Sequence, residues 1–124
     1  MTLNEAVRRA ELYCNADIEK EIEVGAVNKL ESRLCREVYS RYPDLAVASF
    51  DGYDADRNGA TELMAEPPYD EMYPHYIAAE AYLILHEQEQ YNNHLFIFNA
   101  MLNDYKVYLN KNHRPGGVKR YGIR

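Results

Sequence analysis

Toward the C-terminal end, Tyr91, Leu95, Phe98, Leu102, Tyr105 and Leu109 follow one another in alternating steps of four and three. Apolar residues at that spacing fall on one stripe of a helix, the heptad-type seam along which helices pack lengthwise. A chain carrying this stripe must form a long helix there and must supply something to lie against it. The upstream stretch offers a partner: after Pro68, Asp70 is placed to cap a helix whose apolar set includes Tyr73, Ile77, Ala81 and Ile84. Pro74 falls in the first turn, where its missing N–H is tolerated. Between the two lies His86-Glu87-Gln88-Glu89-Gln90, polar throughout. With a turn there the segment is a helical hairpin; without one, residues 69–112 make a single helix of roughly 65 Å at the standard rise. The hairpin is the expected form, although no Gly or Pro enforces it.

The first half also reads as helical. Leu3, Val7, Ala10 and Tyr13 predict a short helix over 3–13, and Asp17 is a plausible cap for a second one running to about Tyr42. That second helix has an apolar residue every fourth position, Ile18, Ile22, Ala26, Leu30, Leu34 and Val38, with Val27 and Cys35 widening the stripe. Gly25 predicts a bend or a close helix approach, and Pro43 ends the helix. Residues 43–68 differ in kind. Asp51-Gly52, Asn58-Gly59 and Pro67-Pro68 are turn punctuation, and no helical period runs between them. Leu45-Ala46-Val47 and Glu62-Leu63-Met64 could pair there as a short β-hairpin. His113-Arg114-Pro115-Gly116-Gly117 stops the last helix. The expected fold class is therefore all-α: a small helical bundle over 1–112 with a long hairpin and an inserted loop at 43–68, followed by an extended arm at 113–124.

Composition narrows the function. At 124 residues the chain makes one domain with a high ratio of surface to volume. Twelve Tyr stand against three Phe and no Trp. Tyrosine suits half-buried surfaces and interfaces, and packing in a thin bundle enriches it equally well. The formal net charge of −6 argues against bulk nucleic-acid binding, which needs a basic face. The charge is polarised, however. Residues 44–66 hold six acids and the single Arg57, whereas Arg114, Lys119, Arg120 and Arg124 make the arm wholly basic. That arm reads as a solubilising end, a tether for the acidic body of a neighbouring copy, or a weak nucleic-acid contact. Cys14 and Cys35 have neither metal-ligand spacing nor disulfide density and are expected as free thiols in a reducing compartment. Glu5, Arg8, Arg9 and Glu11 interrupt any apolar leader, and no run approaches membrane-spanning length, so synthesis and folding in cytoplasm without a membrane partner are expected.

Candidate chemistry is sparse. Asp54-Ala55-Asp56-Arg57-Asn58-Gly59 matches the first half of a calcium loop, with Asp54, Asp56 and Asn58 as its oxygen ligands. The bidentate carboxylate such a loop needs at position twelve is replaced by Ala65, which favours an acidic surface turn. His75, His86, His94 and His113 fall on different predicted faces or elements, with none at short helical spacing from another, so no metal is expected. Glu80, Glu87 and Glu89 make no convincing carboxylate pair, and neither a Cys/His signature nor a phosphate loop is present. The sequence points away from an enzyme and from a cofactor.

Several short motifs occur together. They are Glu62-Leu63-Met64 through Pro67-Pro68-Tyr69-Asp70-Glu71-Met72-Tyr73, then Tyr91-Asn92-Asn93, Phe98-Asn99, Tyr105 and Tyr108, and the close Asn112-His113-Arg114-Pro115. In order and spacing this set resembles small neck proteins of tailed bacteriophages and prophages. Leu30-Glu31-Ser32-Arg33-Leu34-Cys35-Arg36-Glu37-Val38 is similar to their second helix. The similarity covers most of the chain outside 43–61, and Leu85-His86 stands where those proteins often carry Asn-Gly. What the resemblance implies is a head-to-tail connector, also called adaptor or head completion protein: a structural virion subunit forming a homo-oligomeric ring, usually a dodecamer. The implied partners are a portal protein above, a tail-completion or stopper protein below, and DNA that passes through the channel without specific binding. On this expectation Tyr91, Phe98, Leu102 and Tyr105, with Arg114, Lys119, Arg120 and Arg124, meet neighbouring subunits, and the loop with Asp51, Asp54 and Asp56 faces the channel, where its charge repels phosphates. The rival expectations are a small soluble helical regulatory or adaptor protein of phage or host, and a calcium-binding module.

Overall fold

The computed structural model describes residues 1–14, 17–45 and 50–113. Four α-helices carry them: α1 (Leu3–Cys14), α2 (Lys20–Arg33), α3 (Met72–Ile84) and α4 (Gln88–Asn112). Among the described residues no helix is long and apolar enough to cross a membrane. The hairpin forms, turning at Leu85-His86-Glu87, with His86 in the left-handed region at φ 63°. The pairs Tyr82–His94, Tyr76–Phe98 and Tyr69–Tyr105 run in opposite directions along the two legs, so α3 and α4 are antiparallel. On the other side of α3 lie α1 and α2, which makes α3 the central element. Its composition fits that place, since Met72, Tyr73, Ile77, Ala78 and Ala79 are all completely enclosed.

The seam of α4 turns inward. Phe98, Leu102, Tyr105 and Leu109 are buried in the chain's own core, Leu95 packs at its edge, and Tyr91 is half-buried. The expected subunit contacts through Phe98, Leu102 and Tyr105 are thereby corrected: a stripe this regular is satisfied within the molecule by the helices it meets first.

The second helix departs from expectation in three respects. Glu19, not Asp17, stands before its first turn, and its carbonyl accepts from the N–H groups of Ile22 and Glu23. The buried face holds Glu23, Val24, Ala26, Val27, Leu30 and Glu31, while Ile18 and Ile22 are only partly covered. A row of every fourth residue drifts around a helix of 3.6 residues per turn, so its early members leave the core face. The irregularity is also displaced. Gly25 is exposed, with nothing within 4 Å of where a Cβ would stand, so it marks no close approach. Instead the helix widens to a π-turn over Leu34–Val38 and tightens to a 3₁₀ turn over Tyr39–Arg41. The change of pitch brings Val38, Tyr39 and Tyr42 all into the core. Pro43 follows as expected.

Among the described residues the loop has no strand. Glu62 instead makes one antiparallel bridge with Thr2. The N–H groups of Leu3 and Asn4 donate to the carbonyls of Thr61 and Gly59, and Leu63 N–H donates to Met1. The extended residues before α1 thus take the partner role proposed for Leu45-Ala46-Val47, of which Ala46 and Val47 lie outside the described residues.

Candidate functional site

Polar groups inside the bundle show what its architecture needs. Glu31 of α2 is completely buried without a cation. Its Oε1 accepts from the Tyr73 hydroxyl at 2.6 Å, and its Oε2 accepts from the Tyr53 hydroxyl at 2.8 Å and the Met64 N–H at 2.9 Å. Tyr73 Oη in turn accepts from Ala65 N–H at 2.9 Å. Burial pushes the Glu31 carboxyl above its ordinary pKa, and the three donors oppose that shift. Nearby, the Asn28 side chain accepts from Tyr53 N–H at 2.7 Å and donates to Tyr53 C=O at 3.2 Å, as a neighbouring strand would. One carboxylate and one amide on α2 therefore hold both limbs of the 50–66 loop against the helices.

The calcium-like turn is engaged with itself. Asp54 Oδ1 accepts from Asp56 N–H at 2.8 Å, and Asn58 Oδ1 accepts from Asp54 N–H at 2.7 Å. These side chains act as turn caps, a common use of Asp and Asn. Among the described residues no three His, Cys, Asp or Glu side chains gather as a metal-binding group. Asp51, Asp54 and Asp56 are all exposed, so the loop presents its charge to solvent.

Most tyrosines have internal work. Tyr39 and Tyr105 share a hydroxyl hydrogen bond of 2.7 Å, Tyr42 donates to Asn110 Oδ1 at 3.1 Å, and Tyr108 donates to Glu66 Oε2 at 2.7 Å. Tyr69 stacks on Tyr105 and contacts Tyr108. Of the two uses open to a Tyr-rich bundle, internal packing accounts for these. His113, at the end of α4, pairs its Nδ1 with Asp44 Oδ2 at 2.6 Å. Arg114, Lys119, Arg120 and Arg124 lie outside the described residues.

Two histidines expected on unrelated faces come together. His75 of α3 and His94 of α4 have their Nδ1 atoms 3.1 Å apart. Tyr13 stacks on His75 with ring centres 4.7 Å apart, and Tyr82 stacks on His94 at 5.6 Å. Burial lowers the pKa of both, and the adjacent His94 adds to the lowering at His75. Nineteen residues separate the pair in sequence, so only the hairpin's register reveals it.

The outside of the bundle is unexpectedly apolar in two places. Opposite the seam on α4, Phe96 and Val107 are 76% and 54% exposed, about three turns apart, with Ala100 and the exposed polar Asn99 and Asn103 between them. At the hairpin end Leu83, Ile84 and Leu85 are about half exposed, and Leu12 is 76% exposed. Tyr82 Oη reaches the carbonyls of Tyr13 and Cys14, which places the end of α1 at the same end of the bundle. Beside it opens a groove of about 150 Å³ lined by Ile18, Ile22, Ala81, Ile84 and Leu85, with Asp17 and Glu19 also on its wall. These surfaces carried no sequence signal, because single apolar residues outside a seam look like noise.

Fold and surface together define a small all-α protein whose core is closed, whose acidic loop is pinned from within, and which exposes large apolar side chains on α4 and at the hairpin end. Comparison with family models, with curated proteins and with solved structures returns no match to this chain.

Proposed function

We propose that this protein is a structural subunit of a tailed-bacteriophage neck, an adaptor ring seated between portal and tail. The motif order supplies the specific assignment, and the observation that supports assembly is the exposure of large apolar side chains at two separate places, Phe96 and Val107 on α4 and Leu12 with Leu83–Leu85 at the hairpin end. Two different surfaces on one chain suit head-to-tail contacts, which close into a ring when the rotation per subunit divides the circle. The basic arm, from Arg114 to Arg124, docks on the acidic body of the next copy and gives that contact its direction. In this arrangement Asp51, Asp54 and Asp56 line the channel and keep DNA from adhering.

The test is addition of purified protein to portal-bearing capsids that lack it, read by electron microscopy. A ring of density beneath the portal is expected. Phe96→Ser combined with Val107→Ser should keep the helical circular-dichroism signal and lose the ring. Capsids that bind neither protein, or bind both equally, overturn the reading. Removal of residues 114–124 should likewise impair ring formation without changing helicity; truncated protein that completes infectious particles at normal yield removes the arm from the scheme.

A further inference from the structure

We infer that His75 and His94 form a binding site for one divalent transition-metal ion of the zinc class, with water in the remaining coordination positions. The two Nδ1 atoms belong to different helices, yet they face each other at 3.1 Å. Bonds of 2.0–2.1 Å from zinc to imidazole nitrogen would make two nitrogens at this separation subtend about 100° at the ion, between octahedral and tetrahedral values. The separation matches the bite of two ligands on a shared ion, which would take the place of the hydrogen bond now joining the two Nδ1 atoms.

The surroundings favour this occupant. Tyr13 and Tyr82 stack on the two rings from outside, fixing their planes, as a ligand pair needs for a defined bite. Both rings are only partly covered, so water can reach the ion. Their lowered pKa values favour neutral imidazoles, and a metal would take both Nδ1 lone pairs once the proton now shared between the two rings moves to an Nε2. The Glu71 carboxylate, held by Arg9, acts on His75 with a favourable sign for positive charge. Borderline ions such as zinc, cobalt and nickel match imidazole, whereas calcium and magnesium require oxygen.

Two protein ligands give modest affinity, so the experiment carries the ion to roughly 1 mM. Chelator-treated full-length protein is titrated with Zn²⁺ by calorimetry and with Co²⁺ by visible absorption. One ion per chain is expected, with affinity falling at least tenfold in His75→Gln and in His94→Gln and unchanged in His86→Gln. Absence of zinc heat at 0.1 mM protein (about the concentration a weak two-ligand site requires), or equal binding by all three variants, overturns the site. Should either Gln variant fail to fold, imidazole ¹⁵N shifts of the unaltered protein decide. Zinc must move the Nδ1 signals of His75 and His94, and movement confined to His86 and His113 removes the proposal.

Discussion

Glu23 and Glu31 lie eight residues apart on α2, both completely enclosed, and their situations are opposite. Glu31 has three donors; no donor group reaches either oxygen of Glu23, whose neighbour Glu11 is another carboxyl that can share a hydrogen bond with it only through a proton. Burial, and then the nearby Glu11 carboxyl, raise the Glu23 pKa from 4.5 to about 8. In the folded state Glu23 thus holds its proton over a range where the unfolded chain has released it. Its contribution is fully present below about pH 4.5 and is lost as pH rises toward 8. Glu23→Met should therefore raise stability near pH 8 by about 1–2 kcal/mol, the scale of an unsatisfied buried polar group, and should change it less near pH 5. Urea midpoints measured at the two pH values check this; equal effects at both would contradict it. At Glu31 the sign reverses: Glu31→Ala strands the Tyr73 and Tyr53 hydroxyls and the Met64 N–H, for a loss on the order of 3 kcal/mol. Neither residue was legible in the sequence, since a glutamate in an amphipathic helix ordinarily belongs to the wet face.

For the elements, periodicity was the reliable guide where the apolar stripe was long. The α4 seam and the 3–13 helix were readable from spacing, and the polar run 86–90 only overlaps the hairpin turn, since its last three residues already begin α4. What spacing could not supply was direction: whether the seam met another copy or the same chain. Helix α2 shows the second limit, because a change from α to π pitch at Leu34–Val38 follows from which tyrosines the core can accommodate, a tertiary matter. Gly25, exposed, with open space around it and no positive φ, makes the simplest test at this scale. Gly25→Ala should stabilise the protein by about 0.5–1 kcal/mol through reduced freedom of the unfolded chain, seen as a higher melting temperature. The 50–66 loop behaves as an element although it has no regular structure. Glu31→Gln should loosen it selectively, so amide exchange at Tyr53 and Met64 should quicken well before that of α4.

Across the whole molecule, the tyrosine excess answers a need for half-polar packing in a thin bundle: rings fill the space between helices while hydroxyls tie Tyr39 to Tyr105 and Tyr108 to Glu66. The first residues of the chain also set an order of events. Leu3 and Asn4 hydrogen-bond to Thr61 and Gly59, and α1 packs on α3, so contacts of the N-terminal helix span some of the greatest sequence separations in the molecule. Closing so wide a loop is slow compared with forming a local hairpin. During refolding α3 and α4 should gain protection first, and α1 should arrive late as the piece that locks the nucleus, with its own substitutions changing mainly the rate of unfolding.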